Sequence, residues 1–150
     1  MGLIVVFSAT TTMMKNESRR ILFNDHVVTL DSSDVLVLRL HGVLRATDIV
    51  AYGAARNELL EGQRYLLAVL DMRGMTDIEP NVRKEIAATR DPRPQAIAAL
   101  GGSFRFRVVS EMIVKAARFF ANRNIHMKFF DDERSGRAWL EEMREVFRAE

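Results

Sequence analysis

The chain has 150 residues, 48% of them hydrophobic and 28% charged, with a formal net charge of +2 and no cysteine. That length gives one domain able to bury its own core. The missing cysteines exclude disulfides, thiolate metal sites and cysteine nucleophiles, and they fit a reducing cytoplasmic setting. The 22 basic residues are spread along the chain, which leaves no nucleic-acid footprint.

Residues 1–18 read as an extension ahead of a domain spanning 19–150. The apolar stretch Leu3-Ile4-Val5-Val6-Phe7 is too short to cross a bilayer, and no basic segment precedes it as in a signal peptide. The extension reads as disordered, as a loose extra strand, or as the product of a misassigned start, since Met14-Lys15-Asn16-Glu17 would also open a protein. Ile21 to Leu30 and Val35 to Leu40 predict two strands. Asp31-Ser32-Ser33-Asp34 between them has turn chemistry, and Gly42 closes the expected antiparallel hairpin.

Thr47 or Asp48 can cap a helix that runs to about Leu60 and ends at Gly62. Tyr65 to Leu70 is a nearly continuous apolar run, the mark of a strand buried on both faces. It stops at Asp71-Met72-Arg73-Gly74, which reads as a turn. An acid at the C-terminal end of a central strand stands where α/β sheets place their binding groups. Pro80 suits the first turn of a short helix with Val82, Ile86 and Ala87 inward, and Asp91-Pro92-Arg93-Pro94 stops it.

Gln95 to Leu100 predicts a second central strand and Gly101-Gly102-Ser103 a turn. A helix from about Phe106 to Asn122 carries Val109, Met112, Ile113, Ala116, Phe119 and Phe120 at helical spacing. Ile125 to Phe130 is the last strand. Asp131-Asp132 caps a final helix with Trp139, Leu140, Met143, Val146 and Phe147 inward and a Glu133/Arg137 pair outside. The order ββαβαβαβα predicts an α/β fold with a mixed sheet: largely parallel strands, an N-terminal antiparallel hairpin, and helices packed on the sheet.

Three stretches carry a resemblance: Leu70-Asp71-Met72-Arg73-Gly74, the helix start Glu79-Pro80-Asn81, and Phe129-Phe130-Asp131-Asp132-Glu133 leading to Ala138-Trp139-Leu140. From about Ile21 to Phe147 the chain resembles the STAS domain (sulfate transporter and anti-sigma factor antagonist), specifically its SpoIIAA-like single-domain proteins, a group also compared with CRAL-TRIO lipid-binding domains. In the regulatory members an Asp-x-Ser-Gly turn ends the central strand, and an Asp-Ser-Ser-Gly element supplies a phosphorylated serine at the next helix. Here Asp71 and Gly74 match the first and Arg73 replaces its serine. Glu79 keeps the acid of the second, but neither Pro80 nor Asn81 has a hydroxyl.

The resemblance implies a non-catalytic regulatory module. Its partner would be a protein, an anti-sigma factor or kinase-like regulator, meeting Asp71, Met72, Arg73, Gly74, Met75, Thr76, Glu79, Asn81 and Arg83. Thr76 and Ser103 are the nearest hydroxyls for phosphorylation, and both also suit turns or caps. Asp71 can instead accept N–H bonds within its own turn, and Arg73 can pair with Asp77 or Glu79. A second reading takes Met72, Met75, Met112, Met127, Phe104, Phe106, Phe119 and Phe120 as the lining of an apolar cavity between the sheet and the helix bearing Phe119 and Phe120. That cavity would hold a lipid or another apolar small molecule. A third, nucleotide hydrolysis, rests only on Ser103, Arg105 and Arg107 beside Gly101-Gly102 as a loose anion cradle without the spacing of a phosphate-binding loop. No serine, histidine and acid form a catalytic order, so an enzyme is not expected. His26, His41 and His126 show no metal-ligand spacing and no cofactor is implied.

Overall fold

The computed structural model describes residues 4–5, 19–31, 34–89, 91–120 and 123–150. Its elements are β1 (Ile4–Val5), β2 (Arg19–Phe23), β3 (His26–Leu30), β4 (Val35–Leu44), α1 (Ala46–Leu59), β5 (Leu66–Ile78), α2 (Val82–Ala88), β6 (Gln95–Leu100), α3 (Phe104–Phe120), β7 (Ile125–Phe130) and α4 (Glu133–Ala149). The seven strands form one sheet in sequence order, antiparallel from β1 to β4 and parallel from β4 to β7.

The mixed α/β sheet with an antiparallel edge is the predicted one, with two local differences. The run from Ile21 to Leu30 is two strands, because Asn24 takes φ 54° and reverses the chain between Phe23 and His26. Asparagine tolerates that left-handed conformation and favours tight hairpins. Within the 1–18 extension, Ile4–Val5 pairs with β2, and the rest lies outside the described residues, as do Ser32 and Ser33 of the expected turn.

The second difference concerns Asp71-Met72-Arg73-Gly74, which is not a turn. Gly42 does not close the hairpin either: β4 runs on to Leu44 and offers a partner, so β5 continues through Asp71 to Ile78. The added register pairs His41 with Gly74 and Leu44 with Ile78, through irregularities near His41 and Gly42. Pairing with the extended β4 satisfies backbone groups that a turn would leave to solvent.

Sequential parallel strands joined by right-handed crossovers place α1, α2 and α3 on one face. α4 packs on the other, against β5, β6 and β7. There Leu140 and Phe147 meet Val37, Leu67, Val69 and Ala98 in a filled core. Gly136 permits the approach: a Cβ there would lie 3.1 Å from the Ala98 Cβ. Asp132 caps α4 by accepting the Ser135 N–H at 2.7 Å. Val146, expected inward, is 47% exposed, so the buried stripe runs through Leu140 and Phe147 without it.

Candidate functional site

The opposite face is hollow. At the hairpin side α1 covers it well, with Ala55, Leu59 and Leu60 packed on Ile21, Val28, Leu36 and Leu66. Farther across, α3 is held by Phe106, the one residue of that helix that is buried among those described. Val109 and Ile113, the inward residues of its middle, are only half-buried. So are Leu70, Ile97 and Met127, although they sit on the central strands β5, β6 and β7. Neighbouring Ala68 and Ala99 place only methyl groups on this face. Between sheet and helices lies a cavity of about 810 Å³, lined mainly by aliphatic side chains and methionines of β4–β7, α1, α2 and α3. That volume falls within the range of about 300–1,000 Å³ typical of small-molecule sites.

The cavity has a polar end, at the N-terminal edges of the parallel strands. Gln95 opens β6 there and is only 6% exposed. Its Nε2 has no hydrogen-bond partner among the described residues. Arg56, from the last turn of α1, is equally buried. Its guanidinium lies over the Tyr52 ring, 5.7 Å from the centroid, with Nε 3.3 Å from Asp91 Oδ2. Asp91 is shared, because Arg93 donates to it through Nε at 3.0 Å and Nη2 at 2.7 Å. Burial alone would raise the Asp91 carboxyl; the Arg93 side chain and backbone N–H, helped by Arg56, hold it below its ordinary value. Arg123 also reaches this end, its Nη1 donating to the Thr89 carbonyl at 3.1 Å.

At the far end Asp48 touches the cavity and is itself a structural hub. It accepts the Arg45 N–H at 2.8 Å, closing the start of α1, and the Asn24 amide. The His41 backbone N–H donates to His26 Nδ1 at 3.1 Å, so the ring proton sits on Nε2 and is donated to Asp48 Oδ2 at 2.9 Å. Burial would raise Asp48; the Arg45 N–H, Asn24 and His26 together hold it down. His26 thus anchors β3 to α1, and among the described residues no acidic or histidine cluster could hold a metal.

The residues singled out from the sequence separate. Met72 and Met75, expected on an exposed turn, are core residues at 2% and 8% exposure, packed with Leu40, Val82 and Ala99, because the extra β5 residue between Asp71 and Gly74 breaks the two-residue alternation and turns both inward. Asp71 is buried too and accepts from Arg73 N at 3.1 Å, Arg73 Nε at 2.9 Å and Arg39 Nη1 at 2.8 Å. Arg73 therefore pairs with Asp71, not with Asp77 or Glu79. Glu79 is half-buried and accepts the Ala46 N–H at 3.0 Å, securing α1. Gly74, Thr76, Asn81 and Arg83 are exposed.

Ser103 is exposed and its Oγ accepts the Phe106 N–H at 3.3 Å, which makes it a helix cap. Arg105 points to Asp77 at 3.9 Å and Arg107 stacks over Phe129 at 5.2 Å, so the two arginines engage different neighbours. Of the expected cavity lining, Met72, Met75, Met112 and Met127 contribute; Phe104 and Phe119 are instead more than 80% exposed. The Phe120 side chain lies outside the described residues. Arg56, Asp91 and Gln95 carry no motif. The available signal was a lone glutamine opening an otherwise Ala/Ile strand.

Among solved structures, an uncharacterized protein of the DUF3478 family with a SpoIIAA-like fold, from Shewanella loihica PV-4, matches 71% of this chain and 83% of its own. The TM-score is 0.51 at 18% sequence identity. The fold is SpoIIAA-like. No protein-family model and no curated protein matches the chain. No helix among the described residues is long and apolar enough to cross a membrane.

Proposed function

We propose that this SpoIIAA-like chain is a binding protein for an apolar small molecule or lipid, held between the sheet and α1–α3. The observation that supports it is the 810 Å³ cavity over half-buried Leu70, Ile97 and Met127. Open apolar space of that size over central strands is costly without an occupant, and contiguous apolar surface generally marks a binding site. The reading is non-catalytic. The cavity contributes shape and apolar contact, and Asp48 in its lining is already committed to hydrogen bonds.

The test is uptake of the neutral fluorophore N-phenyl-1-naphthylamine. The protein is expected to enhance and blue-shift its emission with saturation at one probe per chain. Ile97→Trp, which fills the cavity, is expected to weaken uptake at least about tenfold while circular dichroism stays unchanged. No uptake by the parent, or undiminished uptake by a folded Ile97→Trp variant, overturns the reading.

The SpoIIAA-like fold favours a second reading, a regulatory module for a protein partner such as an anti-sigma factor or kinase-like regulator. With Met72 and Met75 in the core, its surface reduces to Arg73, Gly74, Thr76, Asn81 and Arg83, with Thr76 and Ser103 as exposed hydroxyls for phosphorylation. Site-specific crosslinking from Arg73 and Arg83 in native cells is expected to trap one partner, lost on Arg73→Glu; no crosslink, with neither hydroxyl phosphorylated by mass spectrometry, removes it.

A further inference from the structure

We propose that the ligand is an amphiphile with a carboxylate headgroup, bound head-down at the Arg56–Gln95 end of the cavity. The inference rests on the apolar-ligand reading and adds the headgroup to it. Gln95 Nε2 is a buried N–H donor with no partner among the described residues, and Gln95 lines the cavity. Leaving such a group unsatisfied is unfavourable, so its position calls for an acceptor from the occupant. Arg56 lines the same end at 6% exposure, with Nε outside hydrogen-bond geometry.

Charge decides which acceptor. Asp91 faces two guanidiniums, Arg56 at 3.3 Å and Arg93 at 2.7 Å. Among the described residues, one carboxylate against two arginines leaves this group one positive charge in excess. A buried charge is tolerated when paired. A singly charged carboxylate balances the excess, and its two oxygens can accept from both a guanidinium and an amide. The remaining lining, from Ile97 and Leu70 toward Met75 and Leu44, receives an aliphatic tail.

The experiment displaces N-phenyl-1-naphthylamine with dodecanoate, dodecan-1-ol and dodecyltrimethylammonium, each below its micelle concentration at neutral pH. The three share a tail and differ in head. Dodecanoate is expected to bind about tenfold or more tighter than the alcohol, and the ammonium weakest. Gln95→Leu and Arg56→Met are each expected to bring the acid close to the alcohol and leave the alcohol unchanged. The Gln95→Leu result stands alone if Arg56→Met does not fold. Equal binding of acid and alcohol by the parent, or an acid preference that survives Gln95→Leu, overturns the headgroup assignment while the cavity reading stands. Failure of every probe to enter overturns both.

Discussion

The Asp71 carboxylate holds two arginines, Arg73 through Nε at 2.9 Å and Arg39 through Nη1 at 2.8 Å. An acid at the end of an apolar strand was legible, as was its bond to a backbone N–H two residues on. The continuation of β5 was not legible, because it depends on β4 extending past Gly42 to supply a partner. The Arg73 side chain, with its backbone N–H and Arg39, outweighs burial and lowers the Asp71 pKa to about 2. A carboxyl depressed in the folded state stabilises fully above its unfolded value near 3.8 and loses that contribution as pH falls toward about 2. Urea midpoints are therefore expected to drop between about pH 4 and pH 2, and Asp71→Asn is expected to flatten that limb. At neutral pH the substitution is expected to cost about 1–2 kcal/mol, since half-exposed Arg73 is screened. An unchanged acid limb in the variant would sink the assignment. His26 was illegible for a different reason. Its partner Asp48 is 22 residues away, a separation no local pattern encodes. His26→Leu leaves the buried Asp48 short of one donor, with an expected loss of about 1–3 kcal/mol in chemical denaturation at unchanged m-value.

The helices show what periodicity can and cannot say. α4 and α3 each span 17 residues, and the sequence predicts an apolar face for both. It gives the direction of that face but not its distance from the sheet. α4 sits close because Gly136 removes the side chain that would collide with Ala98. α3 has no glycine at its middle, and it meets a sheet surface thinned by Ala68 and Ala99, so among the described residues Phe106 alone anchors it deeply. Opposite mutational sensitivities follow. Gly136→Val is expected to destabilise by about 1–3 kcal/mol through overpacking, whereas half-exposed Met112→Ala in α3 is expected to change stability by about 0.5 kcal/mol or less. Amide exchange is expected to be faster across the middle of α3 than across α4, because local stability follows buried contact. Equal protection of the two helices would contradict the hollow arrangement.

For the whole molecule, strand order and handed crossovers were legible, since alternating strands and helices leave few topologies. The cavity was not, because Val109, Ile113, Ile97 and Met127 read as core residues whether or not they touch. One face of the sheet is closed by α4; on the other, the proposed ligand would fill the space between the sheet and α3. Binding to the folded state alone adds RT ln(1 + [L]/Kd), about 2.7 kcal/mol at a hundredfold excess over Kd. For a chain of this size that is an expected rise in melting temperature of about 5–10 °C. The rise should follow the logarithm of dodecanoate concentration and be accompanied by slowed amide exchange in α3 with little change in α4. Ile97→Trp should melt at a dodecanoate-independent temperature, since the indole occupies the same space. A detergent acting on the surface predicts the reverse: lowered melting for parent and variant alike, with no selective protection of α3.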